Sequence, residues 1–257
     1  MREFSVPAIA AVAEDENLTD MVWANAERFS TAVSFRRRVG GTWVDVTARE
    51  FAAEVTAVAK GFLAAGLERG DRVALMSKTR YEWSLVDFAI WAAGLVCVPV
   101  YETSSAEQVE WILADSGARA VVVETAVHRA TVTGLLDRLA ELRHVWQLER
   151  GENATAVDEL TELGAEVSDE TLSAARKAVL ASDAATLIYT SGTTGRPKGC
   201  QLTHHNLIAE ARASKAAFPE LMTPGNAMLM FLPMAHVLAR AVALSAVYAR
   251  CTLGHTP

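Results

Sequence analysis

Residues 72–100 read RVALMSKTRYEWSLVDFAIWAAGLVCVPV. The apolar run from Arg72 to Met76 has strand length and gives way to the polar Ser77-Lys78-Thr79-Arg80. Trp83, Val86 and Ile90 then recur at helical spacing between Tyr81 and Ala93, and Gly94 stops that helix. The valine-rich stretch from Leu95 to Val100 is a second strand. Together these make a βαβ unit with a right-handed crossover by default.

The same alternation extends on both sides. Upstream, Thr47-Ala48-Arg49-Glu50 is a capping-box pattern, after which Phe51, Val55, Val58 and Phe62 share one helical face before Gly66. Downstream, Ser104-Ser105-Ala106-Glu107 offers a second box for a helix through Ala114. Asp115-Ser116-Gly117 then turns the chain into the strand Ala120 to Val123. A helix from about Val127 to Leu142 and a short strand from His144 to Gln147 complete the series. The class is α/β, mostly parallel sheets flanked by helices.

Between Glu149 and Glu170 eight acidic residues meet one basic residue, which reads as a solvated excursion or linker. A helix from Glu170 to Leu180 and a strand from Thr186 to Tyr189 follow. The expected divisions are a first α/β layer over residues 1–148, the acidic excursion and connecting helix over 149–183, and a phosphate-loop segment opening a second sheet over 184–257.

A formal charge of -7 and a sequence pI near 5.4 argue against nucleic acid as a partner. Cys97, Cys200 and Cys251 are odd in number and lack CxxC spacing, so a reducing cytoplasm fits and a zinc site does not. The apolar patch from Val6 to Val12 has acidic flanks, unlike a secretory signal. Phe88 to Val100 is too short to span a bilayer, and Ala227 to Ala249 is interrupted by Pro233, His236 and Arg240. No integral membrane segment is expected. Peripheral contact through a lipid substrate is compatible with this, without a basic amphipathic helix to hold it.

The chemistry is concentrated at residues 187–204, LIYTSGTTGRPKGCQLTH. Gly192, Gly195 and Gly199 allow positive φ and close approach of the backbone, so that successive N–H groups can converge on an anion. Thr190, Ser191, Thr193 and Thr194 add hydroxyls, Lys198 a mobile cation and Pro197 stiffness, and Thr203 can cap the helix that follows, with its dipole near the loop. A flexible Ser/Thr/Gly linker is the bland alternative, disfavoured by a buried strand before it and an amphipathic helix after it. A Walker loop needs Gly-Lys-Ser/Thr, whereas Lys198 lies between Pro197 and Gly199.

YTSGTTGRPKG resembles the phosphate-loop signature of the acyl-adenylate-forming superfamily, the acyl-CoA synthetases, luciferases and peptide-synthetase adenylation domains. GLERGDRVALM, WAAGLVCVPVYETSSAEQVEWILADSGA and FLPMAHVLAR are similar to successive segments of its long-chain fatty acyl-CoA synthetase branch. The resemblance implies a ligase that joins a fatty acid to ATP, releases pyrophosphate and passes the acyl group to coenzyme A. It implies that Thr190, Ser191, Gly192, Thr193, Thr194 and Gly195 contact the β and γ phosphates, with Thr190 a Mg²⁺ ligand, Lys198 a phosphate partner and Arg196 a solvated variable position. FLPMAHVLAR would be a strand end and helix start at the junction of acyl and nucleotide sites, with His236 its functional residue. Some bacterial members carry a tryptophan gate four residues after this histidine; here that position is Arg240, which at helical spacing reaches an anion on the His236 side or snorkels to solvent.

Other features read as structural. His204 and His205 flank the loop without forming a metal pair, the six tryptophans are core by default, and Cys200 has no partner base. The family's adenine contacts, acidic Mg²⁺ ligand, hinge and C-terminal lysine domain are not found before Pro257. The expectation is therefore an incomplete N-terminal domain, inactive alone, whose last strand would leave an exposed edge. Two other readings stay open: adenylation of a different carboxylic acid, or a truncated nucleotide-binding or interaction module without catalysis.

Overall fold

The computed structural model describes residues 11–151, 154–190 and 196–256. Its first elements are α1 (Asp20–Arg28), the hairpin β1 (Val33–Val39) and β2 (Thr42–Thr47), and the long helix α2 (Ala48–Ala64). An α/β alternation follows: β3 (Arg72–Met76), α3 (Tyr81–Ala92), β4 (Val96–Val100), α4 (Ala106–Ser116), β5 (Ala118–Val123), α5 (Ala126–Thr133) and β6 (His144–Gln147). Helices α6 (Ala156–Leu163) and α7 (Asp169–Lys177) lead to β7 (Ala184–Thr190), β8 (Lys198–Thr203) and α8 (His204–Ala217). The remaining elements are β9 (Ala227–Met230), α9 (Val237–Ala249) and β10 (Thr252–His255).

Among the described residues the strands form two sheets. The larger runs β6-β5-β3-β4-β7-β8 and is parallel except for β8, which is antiparallel to β7. The smaller runs β2-β1-β10-β9, with β1, β10 and β9 parallel. Helix α3 lies between them and is buried at every position but Glu82. One side reaches β10 through the 2.9 Å hydrogen bond of Ser84 Oγ and His255 Nε2. The other reaches β7, where Trp91 Nε1 donates to the Ala185 carbonyl at 2.8 Å. A helix covered on both sides must be apolar all round, which is why its sequence lacks a polar face.

Five expectations change. The second capping box is Ser105 with Gln108, one residue later than Ser104 with Glu107, because Ser104 is used in a turn back to Tyr101; α4 then runs to Ser116 and ends at left-handed Gly117. The long helix through Leu142 is instead α5, stopping before Gly134, and a 3₁₀ turn at Leu136–Arg138. The acidic stretch is not a solvated excursion: Thr155 and Asp158 cap α6, whose Ala156 and Leu160 are fully buried. Its few aliphatics are one helical stripe, and the carboxylates face water. The divisions change as well: β1 and β2 of residues 1–148 belong to the smaller sheet, β7 and β8 of residues 184–257 belong to the larger, and β10 is not an exposed edge because it is paired with β1 on one side and β9 on the other.

Candidate functional site

The strand β7 delivers the chain to the carboxyl edge of the larger sheet, where β3, β4 and β5 also end. That edge is where ligands bind in open parallel sheets. Thr190 closes β7, Lys198 opens β8, and the two are cross-strand partners with exposed side chains on one face of the hairpin. Ser191, Gly192, Thr193, Thr194 and Gly195 lie outside the described residues.

The base of the loop is clamped to α4. Trp111 Nε1 donates to the Pro197 carbonyl at 2.8 Å, and the Arg196 guanidinium stands 4.6 Å above the Trp111 ring. Arg196 is thus a stacked residue as well as an exposed one, and Trp111 is a half-buried loop anchor instead of core. Tyr189 donates its hydroxyl to Asp115 Oδ2 at 2.6 Å; burial, then Asp115, raises its pKa well above the usual tyrosine value. Gly199 also has a different role from the one expected. It sits in extended β8, and a Cβ there would come within 3.2 Å of the Tyr189 ring.

Thr203 does cap α8, sharing a box with Asn206, but the helix start is far from the loop. Six residues of β8 separate them by about 20 Å of extended chain. The α8 dipole therefore does not serve the loop, and His204 and His205 sit at the opposite end of the hairpin. His204 is buried, its Nδ1 accepts from the Leu18 N–H at 3.2 Å, and burial lowers its pKa to about 4.

The FLPMAHVLAR segment leaves the carboxyl end of β9 and enters α9. Thr79, just beyond the carboxyl end of β3, donates its hydroxyl to the Leu232 carbonyl at 2.6 Å, so the carboxyl edges of the two sheets meet here. His236 is the exposed N-cap of α9, with Nδ1 accepting from the Leu238 N–H at 3.2 Å. In a neutral ring that leaves the proton on Nε2, as a donor facing outward. Arg240 does not snorkel, and the anion it reaches is a carboxylate of the protein itself, Asp87. It is 1% exposed, and Nη2 donates to Asp87 Oδ1 at 2.7 Å and to Oδ2 at 3.0 Å while Nη1 donates to Thr186 Oγ1 at 2.5 Å.

The structure joins Thr190 and Lys198 directly and, among the described residues, ties the His236 helix to the same strand by the hydrogen bond of Arg240 to Thr186. Sequence reasoning missed Asp87 and Thr186. A signal existed: Asp87, the carboxylate in the middle of the apolar α3, and the one guanidinium in the apolar α9 each need a partner if buried. Burial pushes the Asp87 carboxyl up against the opposing pull of Arg240, so neither charge is tolerable alone.

The family description "AMP-binding enzyme" matches residues 22–257. The chain belongs to that family. The chain is 47% identical over 256 residues to the long-chain-fatty-acid–CoA ligase FadD15 of Mycobacterium bovis, an alignment that covers 100% of this chain and 42% of that ligase. Among solved structures it superposes on the long-chain-fatty-acid–CoA ligase FadD1 of Archaeoglobus fulgidus with a TM-score of 0.79 at 21% identity, covering 98% of this chain and 49% of that one. The N-terminal domain of FACL13 from Mycobacterium tuberculosis gives 0.77 at 24%, covering 94% and 57%. These structural likenesses bear on the fold, which is the mostly parallel α/β arrangement the sequence implied. The chain spans less than half the length of the FadD15 ligase it matches.

Proposed function

We propose that these residues are the N-terminal portion of an AMP-forming long-chain fatty acid:CoA ligase. The observation that carries this reading is the YTSGTTGRPKG hairpin at the carboxyl edge of a parallel sheet in a chain of the AMP-binding family. A fatty-acid carboxylate attacks the α-phosphorus of ATP; the carboxyl-oxygen–phosphorus bond forms, the α–β bridge breaks, and pyrophosphate leaves. The thiol of coenzyme A then attacks the acyl carbon of the adenylate; the carbon–sulfur bond forms, the carbon–oxygen bond to the phosphate breaks, AMP leaves and the thiol proton passes to solvent. The first nucleophile is already ionised at neutral pH, so no general base is needed. The obstacle is repulsion between anions, and the remedy is positioning and charge neutralisation.

In this reading Lys198 and residues 190–195 hold the β and γ phosphates, and His236 offers Nε2–H to an oxygen of the acyl-phosphate junction. Among the described residues no cluster of three His, Cys, Asp or Glu could hold a metal by itself. An exposed Thr190 hydroxyl beside a phosphate loop nevertheless suits Mg²⁺, which keeps few protein ligands and much of its shell from phosphates and water. Bound with ATP, Mg²⁺ supplies neutralisation of phosphate charge. Among the described residues no helix is long and apolar enough to cross a membrane. With all three cysteines unpaired, a cytoplasmic setting with peripheral contact through the lipid substrate is the proposal.

The test is acid-dependent ATP–pyrophosphate exchange by the full-length ligase of which residues 1–257 are proposed to be the N-terminal portion, across a panel of fatty, aryl and amino acids; residues 1–257 alone are expected to support none. Long-chain fatty acids are expected to support exchange, and Lys198→Ala to lower it about a hundredfold, the scale of removing one charge-stabilising contact. Exchange with aryl or amino acids only would defeat the fatty-acid reading, and an unchanged rate in Lys198→Ala would remove that residue from the site.

A further inference from the structure

Arg240 faces no solvent, so its charge acts entirely on the protein's own elements. Its planar fork is fixed on three sides. Asp87 of α3 takes two guanidinium nitrogens, with Nε at 3.2 Å and Nη2 at 2.7 Å. Thr186 of β7 takes the third, Nη1. The rings of Trp83 and Trp91 lie 5.5 and 5.3 Å from the guanidinium carbon. Thr186 spends its own proton on the Cys97 carbonyl of β4 at 2.8 Å, so its hydroxyl is both an acceptor and a donor.

The seam between β4 and β7 is where this matters. Strands β3 and β4 are in register over five residue pairs, whereas β4 and β7 share one, Cys97 with Thr186. The hairpin that carries the phosphate loop thus lies beside β4 with one ladder pair between them, and Arg240 grips Thr186 of that pair from α9, a helix of the other sheet. One helical turn earlier on α9 stands the His236 cap, whose carbonyl accepts from the Arg240 N–H at 3.3 Å.

We propose that Arg240, held by Asp87, is a positioning residue that fixes the phosphate-loop strand β7 relative to the His236 end of α9. This rests on the ligase reading above, and deepens it. A buried ion pair is a poor source of net stability, because apolar residues of similar volume serve as well or better. A planar fork shared among three elements instead sets distances that an apolar contact would leave free. From Thr186 to Thr190 is about 13 Å of strand, so a tilt of about 5° at the seam displaces Thr190 by about 1 Å.

The experiment uses the full-length ligase of which residues 1–257 are proposed to be the N-terminal portion, as the parent for every variant. Thr186→Val keeps the Arg240–Asp87 pair and cuts its link to β7, while Thr186→Ser keeps the hydroxyl. Thr186→Val and Arg240→Lys are expected to lower kcat for long-chain acid-dependent exchange about tenfold or more, with KM for ATP within about threefold, and Thr186→Ser to retain it. The double variant Arg240→Met/Asp87→Leu is expected to melt no lower than the parent yet to keep the low kcat. Parent-like kcat in folded Thr186→Val or in that double variant overturns the proposal. Hydrogen exchange supplies a readout independent of turnover: in Thr186→Val, amides of β7 and of residues 236–240 should lose protection together. Loss confined to β7 also overturns it. If the parent shows no exchange with any acid, the ligase reading fails, and the amide measurement still decides the coupling.

Discussion

At the scale of single residues, two buried histidines tie stability to pH. His204 and His255 are both held near pKa 4 by burial, against about 6.5 when exposed to water. Burial outweighs what little compensation a positive charge would find: His204 accepts from a backbone N–H and is only partly offset by Asp183, while His255 is stacked 5.8 Å from Phe35, bonded to Ser84 and only partly offset by Glu82. Between pH 6.5 and 4 the unfolded chain binds protons that the folded chain refuses. Stability is therefore complete above about pH 6.5 and is lost as pH falls toward 4. At pH 5 the loss is about 2 kcal/mol per histidine, or about 4 kcal/mol for both. Urea unfolding at pH 7.5 and 5 measures it, and His204→Gln should remove about half of the difference; a midpoint indifferent to pH over that interval would refute the assignment.

At the scale of elements, the tightest packing is glycine against backbone. A Cβ on Gly61 of α2 would lie 2.2 Å from the Leu160 carbonyl oxygen of α6, and one on Gly164 would lie 2.5 Å from the Gly61 nitrogen. Gly61→Ala must push the two helices apart and is expected to cost about 1–3 kcal/mol in urea unfolding. Gly66→Ala acts through its left-handed φ of 78° instead, with nothing within 4 Å to meet the new methyl, so α6 should keep its amide protection there and lose it in Gly61→Ala. This contact explains why α6 was illegible. Its stripe is two residues, Ala156 and Leu160, within a run of carboxylates, and its partner is a glycine 99 positions away that carries no hydrophobic signal. By contrast β3, α3, β4, β5 and β6 were legible because each is a continuous apolar run or a periodic one between turn residues. The site divides the same way. Thr190 and Lys198 could be named because they sit in one local pattern, whereas Arg240 was named without its partners, because Asp87 and Thr186 lie on two other elements.

At the scale of the molecule, the smaller sheet is assembled from the two ends of the described chain, β2 and β1 near one end, β10 and β9 near the other. Their junction is the parallel pairing of Phe35 with Leu253 and Arg36 with Gly254. Phe35 is fully buried there, with its ring centroid 4.3 Å from Phe51 of α2, 5.7 Å from Tyr81 of α3 and 5.8 Å from His255 of β10. One ring thus joins an N-terminal strand, two helices of the α/β series and the last strand. Loops that long are costly to close, so the contacts that close them must form cooperatively with the core they join. Phe35→Ala is expected to destabilise the protein by about 3–5 kcal/mol, the range for an aromatic ring removed from a packed core. Because the ring bridges the sheets, β10 and α3 should lose amide protection together, in one unfolding transition by tryptophan fluorescence and far-ultraviolet circular dichroism. Two separated transitions would mean that the smaller sheet folds apart from the larger. The bond from Thr79 to Leu232 and the grip of Arg240 on β7 would then hold their geometry only after docking of two independent units.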